Sequence, residues 1–254
     1  MSFFTFGKLG RALLLSGVVA VSAVCWAGCG GDDGGNDNPA NNNGNNNNGN
    51  NNNGGVGTLS CGSRECKSAK MPDGKTWMTE NLNVPTEEGS WCYGEGGETN
   101  VNGEWKTLSS SEIQVNCNTY GRLYTWDAAK TVCPTGWHLP TRDEWGALAI
   151  AAGGTGTYGG GGNGGTPGKV LKSTDGWNSS GNGTDDFGFS ALPGGVRVYH
   201  NGGFGGVGRE GHWWTATEGR GIFGWRRYMD YYHDNVGEVW NEDVGACSVR
   251  CVQD

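Results

Sequence analysis

The amino-acid sequence predicts an α+β fold, in which two helices pack on short, irregular antiparallel sheets that are joined by long glycine-rich loops. Only two stretches of the chain carry apolar residues at helical spacing. Several other stretches are short, aromatic and half polar, as antiparallel strands with one solvated face usually are. The chain contains 50 glycines among its 254 residues, and many of them stand between these stretches.

The first 29 residues have the layout of a bacterial export signal. Lys8 and Arg11 supply positive charge, and the apolar segment 12–24 follows them. A segment of this length is too short to cross the ~30 Å hydrocarbon core of a bilayer as a helix. We therefore interpret residues 1–29 as a signal peptide rather than as a membrane span.

The signal ends in the sequence WAGC, which resembles a bacterial lipobox. Small residues before a cysteine direct its acylation, so Cys29 is the predicted lipidation site. Several acyl chains on one cysteine would hold the protein firmly at a membrane, because a single chain binds only marginally. Two alternatives stay open: Cys25 is a weaker candidate, and an ordinary secreted protein would be cut near Ala27.

Residues 30–57 consist almost entirely of Gly, Asn and Asp. Such a segment has too little apolar surface to fold, so it predicts a disordered tether, with a reach of roughly 30 Å. Asp32 and Asp33 follow Cys29 closely and resemble the surface-export signals of some Gram-negative lipoproteins. We therefore expect an outer-membrane lipoprotein that faces the cell surface, or a secreted protein if the lipobox is not used.

The remaining residues, 58–254, are predicted to form a single folded head. The formal net charge of the chain is −8, and no basic run is visible in it. Nucleic acids are bound through clusters of Lys and Arg, so this composition argues against a nucleic-acid-binding role. No segment after residue 30 is long and apolar enough to span a membrane, which leaves the lipid anchor as the predicted membrane contact.

Two segments of the head have helical patterns. The first is 123–133, which must end before Pro134 because proline cannot continue a helix. The second begins at Thr141, whose side chain can form a reciprocal capping box with Glu144. It ends near Gly153, a residue type that is favoured just after a helix. Its core-facing stripe contains Trp145, Leu148, Ala149 and Ala152.

Six other segments have the composition of antiparallel strands, being short, aromatic and half polar. The Gly-rich segment 153–168 between the second helix and the later strands is predicted to be a loop. It does not have the G-K-[ST] ending that a phosphate-binding loop requires. The predicted strands are 75–82, 189–192, 194–200, 212–218, 224–232 and 247–253.

The head contains seven of the nine cysteines, an odd number. Because exported proteins fold in an oxidising compartment, disulfides are the expected state, although sequence alone does not give their connectivity. Zinc is the alternative, but the short spacings C-x4-C and C-x3-C differ from a paired C-x2-C pattern. The spacing suggests three pairs and leaves Cys247 over: Cys61–Cys66, Cys92–Cys117 and Cys133–Cys251.

Six motifs follow one another along the head: MPDGKTWMTENLNV (71–84), WCY with YGRLYTWDAA (91–129), CPTGWHLPTRDEW (133–145), GTDDFGFSALPGG (183–195), WWTATE (213–218) and SVRCV (248–252). In this order they resemble the Fibrobacter succinogenes major paralogous domain, a bacterial family of exported proteins. The resemblance covers roughly 70–254. The motifs are specific together and weak one by one.

The resemblance has consequences for the fold. The family is similar to the formylglycine-generating-enzyme group, and both are related to the C-type lectin fold. The head is therefore expected to be C-type-lectin-like, with its termini close together and most ligand sites in the long loop region 153–212. Two features depart from the family pattern, namely Cys247 before the SVRC motif and the length of the Gly-rich insertion at 153–168.

No cofactor is expected, and a calcium ion is the one candidate. Residues 240–243, WNED, resemble the Trp-Asn-Asp motif of C-type lectins with a Glu inserted. Carboxylate and amide oxygens suit Ca²⁺, a hard cation that takes six to eight oxygen ligands. The structural alternative is a polar hairpin turn at 240–243 and a turn held by aspartates at 185–186. The candidate metal ligands are Asp185, Asp186, Asn241 and Asp243.

Two features could carry catalysis, and we favour a structural interpretation of each. His138 would need a partner and a cleft to act as a base, and we expect it to be packed and hydrogen-bonded instead. Formylglycine-generating enzymes bind copper through two C-terminal cysteines, but the spacing of Cys247 and Cys251 differs from theirs. We therefore predict no catalytic residue, with an oxidase of that type as the alternative.

The head is rich in aromatic residues, since the chain has twelve tryptophans. Flat rings beside polar side chains suit sugar or peptide recognition. The alternative is that these rings fill the core of a fold that is poor in Leu and Ile. The candidate ligand-binding residues are Tyr199, Trp225, Tyr231, Trp240, Asn241 and Asp243.

These features predict a surface-facing lipoprotein whose lectin-like head is a non-catalytic binding or adhesion module. The expected ligand is a carbohydrate or a surface protein. Two alternatives stay open, an oxidase of the formylglycine-generating type and a structural envelope protein that has no small-molecule site.

Overall fold

The structure is a computed structural model that describes residues 57–101, 103–156, 164–221, 223–240 and 243–254. The predicted signal peptide, Cys29, nearly all of the tether and Asn241 lie outside these residues. Within them the chain forms a mixed α+β fold in which antiparallel sheet predominates over four helices. None of the helices in the described ranges is long and apolar enough to cross a membrane.

Short elements alternate along the described residues. The helices are α1 (Ser110–Tyr120), α2 (Trp126–Ala129), α3 (Arg142–Ala151) and α4 (Pro167–Leu171). The strands are β1 (Gly57–Cys61), β2 (Arg64–Lys70), β3 (Thr76–Met78), β4 (Ser90–Cys92), β5 (Thr99–Val101), β6 (Glu104–Lys106), β7 (Arg122–Tyr124), β8 (Trp137–His138), β9 (Gly154–Thr155), β10 (Gly164–Gly165), β11 (Gly194–Val198), β12 (Phe204–Val207), β13 (Glu210–Arg220), β14 (Phe223–Asp230), β15 (Gly237–Val239), β16 (Val244–Ala246) and β17 (Val252–Gln253).

Two larger sheets organise the head. The first has the strand order β1-β2-β3-β17-β8, so β17, near the end of the chain, lies inside it. There Val252 stands opposite Trp77 on one side and His138 on the other. The second sheet has the order β15-β14-β13-β11-β12-β5-β6, with β16 also paired to β11. The pairs β4–β7 and β9–β10 form two small sheets beside them.

Helix α3 confirms the prediction for the segment after Thr141. The Thr141 hydroxyl accepts a hydrogen bond from the backbone N–H of Glu144, and the Glu144 carboxylate accepts one from the N–H of Thr141. This exchange satisfies two backbone donors that a helix start leaves unpaired. Gly153 follows the helix with a φ of 91°, which favours glycine. The predicted stripe is buried, namely Trp145, Leu148, Ala149 and Ala152.

The predicted helix over 123–133 is largely wrong, because only Trp126–Ala129 is helical. Leu123 belongs to β7, and Tyr124 exchanges backbone hydrogen bonds with Cys247 at 2.7 and 3.0 Å. Thr125 then caps the short helix by accepting a bond from the N–H of Ala128. Buried strand residues and helix residues produce the same apolar pattern over so short a segment, so the pattern did not separate them.

Helix α1 is not predicted by the sequence pattern, although it has a capping box of its own between Ser109 and Glu112. The apolar pattern fails because Cys117 is the only buried residue of this helix. A helix that lies on the surface with one buried side chain carries no apolar stripe to detect.

The strand predictions hold best for the longest segments, since β13 and β14 overlap 212–218 and 224–232. Strands β3, β11 and β17 fall within three further predicted segments. The segment 189–192 is not a strand. Ser190 has a φ of 52°, and its N–H donates to the Asp185 carboxylate at 2.6 Å, so the chain turns there.

Three disulfides occur among the described residues, and they join the pairs that the spacing suggests. Their sequence separations are 5, 25 and 118 residues. The longest ties the segment before α3 to the residue before β17. Cys247 is free and buried. The disulfides are Cys61–Cys66, Cys92–Cys117 and Cys133–Cys251.

Four aromatic rings meet beneath α3 and form what we call the aromatic core. The ring of Trp145 lies 5.1 Å from Trp77, 5.7 Å from Phe189 and 5.9 Å from Trp213, measured between centroids. Tilted and edge-to-face contacts at these distances are favourable beyond the apolar area they bury. All four side chains are buried, so part of the tryptophan content serves the core.

Candidate functional site

Two neighbouring cavities of about 240 and 640 Å³ share Thr125 and Asp127 in their walls. Cavities of this size fall in or near the range of roughly 300–1,000 Å³ that holds small ligands. We call the combined depression the Arg197 cleft, after the cation in it. The residues that define it are Trp91, Thr125, Asp127, Arg197, Tyr199 and Phe223.

The walls of the Arg197 cleft come from four separate parts of the chain, one of which is Phe223 at the start of β14. Trp91 stands on β4, and Thr125 and Asp127 form the start of α2. Arg197 stands on β11, opposite Phe204 of β12 and Ala246 of β16. The cleft therefore exists only where the small β4–β7 sheet, α2 and the second large sheet meet.

Arg197 is half-buried and stacked on aromatic rings. Its guanidinium carbon lies 4.1 Å from the ring centroid of Trp91 and 5.8 Å from that of Phe204. Its Nε is buried without a hydrogen-bond acceptor, and no carboxylate among the described residues forms an ion pair with it. Burial lowers the pKa of this guanidinium from its usual value. Arg197 is thus a cation held by rings rather than by an anion.

Tyr199 forms the exposed aromatic face of the cleft, with 48% of the residue accessible. Its ring packs edge-on against Phe223 at 5.1 Å and against His200 at 5.5 Å between centroids. Its backbone N–H donates to the carbonyl oxygen of Asp243 at 2.9 Å. A side chain at Gly245 would come 3.0 Å from the Tyr199 Cα, so the backbone beneath the ring is tightly packed.

The cleft also contains acidic side chains. Asp127 pairs with Lys130 at 2.8 Å, and the Lys130 ammonium lies 4.1 Å from the centroid of the Trp126 ring. Glu87 and Glu88 line the larger cavity and are exposed. The cleft therefore carries Arg197 in its smaller cavity, Glu87 and Glu88 in its larger one, and Asp127 in the wall of both.

The structure disperses the predicted ligand-binding residues. Tyr199 lines the cleft, with Asp243 bonded behind it, and Asn241 lies outside the described residues. The other three line neither cavity of the cleft. Trp225 lies under the guanidinium of Arg142 at 4.0 Å, Tyr231 is paired with Tyr232 at 3.9 Å between centroids, and Trp240 packs beside Gly219.

Three of the four predicted calcium ligands, Asp185, Asp186 and Asp243, lie within the described residues, and these three do not form a metal-binding group. Asp185 accepts hydrogen bonds from both the N–H and the hydroxyl of Ser190, which is the structural alternative of a turn held by an aspartate. The backbone N–H of Asp186 donates to the carbonyl of Val170. Within the described ranges, no group of three or more His, Cys, Asp or Glu side chains could hold a metal ion, so Asp185, Asp186 and Asp243 do not form one.

His138 is hydrogen-bonded on both sides. Its Nδ1 lies 2.6 Å from a carboxylate oxygen of Asp254, and its Nε2 lies 3.0 Å from one of Glu144, which Lys75 also contacts at 3.0 Å. Burial alone would lower the pKa of His138, but the hydrogen bonds to Asp254 and Glu144 raise it overall. The imidazole joins β8, the start of α3 and the chain after β17, as its structural interpretation requires.

The two C-terminal cysteines do not form a dithiol. Cys251 is bonded to Cys133. Cys247 is buried, and burial raises the pKa of its thiol to about 12, so almost none of it is thiolate near neutral pH. The free cysteine pair that the oxidase alternative requires is therefore absent from this arrangement.

Sequence reasoning missed most of the cleft, including Trp91, Thr125, Asp127, Arg197 and Phe223. One local signal was available, since Arg197 is the single charge in the predicted strand 194–200, GGVRVYH. Burying a charge costs free energy unless the charge is paired or hydrogen-bonded, so a charge within a half-buried strand marks a position that needs a partner. The partner across the cleft could not be found in this way, because Trp91 lies in a distant part of the chain.

Comparison with known proteins adds one match. The model of a family described as the Fibrobacter succinogenes major domain matches residues 73–253. The match spans β3 to β17 and both sides of the Arg197 cleft. No curated protein and no solved structure gives a significant match.

Proposed function

The protein belongs to the Fibrobacter succinogenes major domain family, and we propose that its head is a non-catalytic carbohydrate-binding module with the Arg197 cleft as the binding site. The observation that carries the proposal is the combination of an exposed aromatic ring, Tyr199, with hydrogen-bonding side chains in one depression. A sugar ring has apolar C–H faces and hydroxyl edges, and this lining complements both.

The polar groups of the cleft are suited to hydroxyls. Thr125 and Asp127 stand at the junction of the two cavities, where the Asp127 carboxylate is exposed and can accept hydrogen bonds. Arg197 supplies donors from the opposite side. Sugar hydroxyls both donate and accept hydrogen bonds, and these three residues offer donors and acceptors within one depression.

A binding role is supported over catalysis by the state of the reactive side chains. His138 is committed to Asp254 and Glu144, Cys251 is in a disulfide, and the Cys247 thiol is buried. Each of these groups has a structural partner or no access to solvent. None of them lines the Arg197 cleft.

A C-type-lectin-like architecture is part of the proposal. It is supported by the position of β17 between β3 and β8, which brings the end of the chain beside its early strands. It is further supported by the helices α1 and α3 beside antiparallel sheets.

The proposal also includes the anchor. The lipid on Cys29 is the only proposed contact with the membrane, and the tether 30–57 presents the head at the cell surface. The ligand there is a carbohydrate or, as the alternative, a surface protein.

Binding is tested with the detergent-solubilised full-length protein on a glycan array, with and without EDTA. We expect retained glycans, and an affinity that falls at least tenfold, or about 1.4 kcal/mol, in Tyr199→Ala. Tyr232→Ala is the matched control, since Tyr232 is 75% exposed and lies outside the cleft. Absence of any retained glycan in both conditions would overturn the carbohydrate proposal, and loss of binding only with EDTA would restore the calcium hypothesis.

Anchoring is tested separately by metabolic labelling with an alkyne fatty acid. We expect label on the native protein and none on Cys29→Ala, while Cys25→Ala keeps it. Label that survives in Cys29→Ala and disappears in Cys25→Ala would move the lipidation site, and absence of label in the native protein would favour secretion.

A further inference from the structure

We propose that the glycan bound by the Arg197 cleft carries one carboxylate, as a terminal uronic acid does, and that Arg197 selects it. The inference rests on the proposed carbohydrate-binding function and names the ligand class for the same site. It starts from a cation that the protein itself leaves without an anion.

Arg197 has donors to offer. A guanidinium has five N–H donors in a planar fork that matches the two oxygens of a carboxylate. The Trp91 ring, 4.1 Å away, covers a face of this plane, so the donors at its edges stay available. The Nε has no acceptor, and no ion pair links this guanidinium to a described carboxylate. A ligand carboxylate in the smaller cavity would supply the missing anion to the two terminal nitrogens of the guanidinium, which, unlike the Nε, are not buried.

The guanidinium is also fixed in position. Trp91 and Phe204 contact it through their rings, and Gly202 leaves room for it, because a Cβ at Gly202 would come 2.6 Å from Arg197 Nη2. A donor that is already ordered loses little conformational entropy when the ligand binds. Such a donor discriminates a carboxylate from an uncharged group more sharply than a mobile surface lysine would.

The charges around the cleft limit how many carboxylates the ligand can carry. Asp127 lies at the junction of the cavities and Glu87 and Glu88 line the larger one. The chain as a whole has a formal net charge of −8. Carboxylates of a polyanion would lie near Glu87 and Glu88 and would be repelled by them. The neutral sugar residues of a singly charged glycan would not be repelled at the same place.

The test uses the full-length protein and a glycan array with matched forms. Each neutral oligosaccharide is also printed with a terminal glucuronic acid and with the methyl ester of that acid, beside polygalacturonate. We expect the acids to bind at least tenfold more tightly than their esters, and polygalacturonate to bind more weakly than the singly charged glycans. High salt should reduce the difference between acid and ester, because the interaction is ionic.

Variants identify the residue. Arg197→Gln should bind acid and ester equally, while Arg197→Lys should recover part of the preference and Arg64→Gln, an arginine outside the cleft, should keep all of it. The acid-to-ester ratio of the native protein is decisive even if a variant does not fold. Equal binding of acid, ester and neutral forms overturns this inference and leaves the carbohydrate function standing. Preference for polygalacturonate overturns the single-carboxylate claim, and absence of any binding overturns function and inference together.

Discussion

Arg250 and Arg197 both stand on aromatic rings, and their surroundings differ. Arg250 is fully buried, with its guanidinium 4.4 Å from the Phe189 ring and 6.0 Å from the Trp213 ring of the aromatic core. Its three nitrogens donate to the Asn81 side chain and to the carbonyls of Phe189 and Ser190. Arg197 stands on Trp91 at a similar distance, yet its Nε has no acceptor and it lines an open cleft.

Stacking on a ring therefore does not reveal what an arginine does. What separates the two is whether the protein supplies acceptors for the N–H groups. At Arg250 every nitrogen is satisfied, so the cation holds the turn around Ser190 against the core. At Arg197 the donors are left for something outside the chain.

The largest expected effect concerns two disulfides, one next to Arg250 in the sequence and one next to Trp91, the residue on which Arg197 stacks. Cys251 follows Arg250 and is bonded to Cys133 across 118 residues, whereas Cys92 follows Trp91 and is bonded to Cys117 across 25. In the chain-entropy model, loops of these lengths contribute about 5 and about 3.5 kcal/mol to the free energy of unfolding. We therefore expect the double variant Cys133→Ala/Cys251→Ala to lose more stability than Cys92→Ala/Cys117→Ala in urea titrations. The reverse order would show that loop length does not separate the two regions.

The second prediction compares the arginines directly. Arg250→Met removes the donors to the carbonyls of Phe189 and Ser190 and one of the two donors to the Asn81 side chain, so it should lower the free energy of unfolding by about 3–5 kcal/mol. Arg197→Met loses a ring contact at a half-exposed site and should cost about 0.5–1 kcal/mol. Urea denaturation of both variants measures the difference. Equal losses of the free energy of unfolding would mean that Arg197 also stabilises the fold, which would contradict the distinction drawn between the two arginines.

The third prediction concerns the support of Arg197. Gly202 has a φ of 67°, and a Cβ there would approach the Arg197 guanidinium closely. Gly202→Ala should cost about 1–2 kcal/mol in backbone strain and should weaken glycan binding as it displaces the guanidinium. Gly188→Ala is the matched control, since Gly188 has a φ of 68° with nothing within 4 Å of the added Cβ. Unchanged binding in Gly202→Ala, with a loss of stability equal to that of Gly188→Ala, would show that the guanidinium position does not matter.

The smallest expected effect lies at the edge of the sheet that carries β17. The pKa of His138 is raised in the folded protein by Asp254 and Glu144, so its stabilising contribution is present below the unfolded pKa of about 6.5 and is lost as pH rises through the folded value. His138→Gln should therefore lower the Tm at pH 5.5 and have less effect at pH 9. Because the imidazole is partly exposed, the change should be small. A larger effect at pH 9 than at pH 5.5 would contradict this sign.

Much of the local structure could be predicted from the sequence. The capping box of Thr141 and Glu144, the buried stripe beginning at Trp145 and the overlap of β13 and β14 with predicted strands follow from spacings of a few residues. The short α2 and the missed α1 show the limit. Where tertiary contacts interrupt a pattern, as the pairing of Tyr124 with Cys247 does, local spacing no longer decides the element.

The site was predictable only in part. An aromatic recognition surface was expected, and Tyr199 lines the cleft with Asp243 behind it. Trp225 was wrongly included in this surface, because the residues next to Trp225 in the sequence do not reveal that Arg142 covers its ring. Exposure and burial of an aromatic side chain depend on which distant segment packs on it.

The amino-acid sequence alone was enough to predict the capped helix α3 and to identify the motifs that mark the family. These depend on composition and on contacts between near neighbours, or on motifs read in order. The packing of distant segments, by contrast, settles which guanidinium finds acceptors: each nitrogen of Arg250 donates a hydrogen bond to the protein, whereas the Arg197 Nε has no acceptor. Both are arginines beside apolar residues in sequence, and their difference arises because folding places carbonyl oxygens of 189–190 around one guanidinium and an open cleft beside the other.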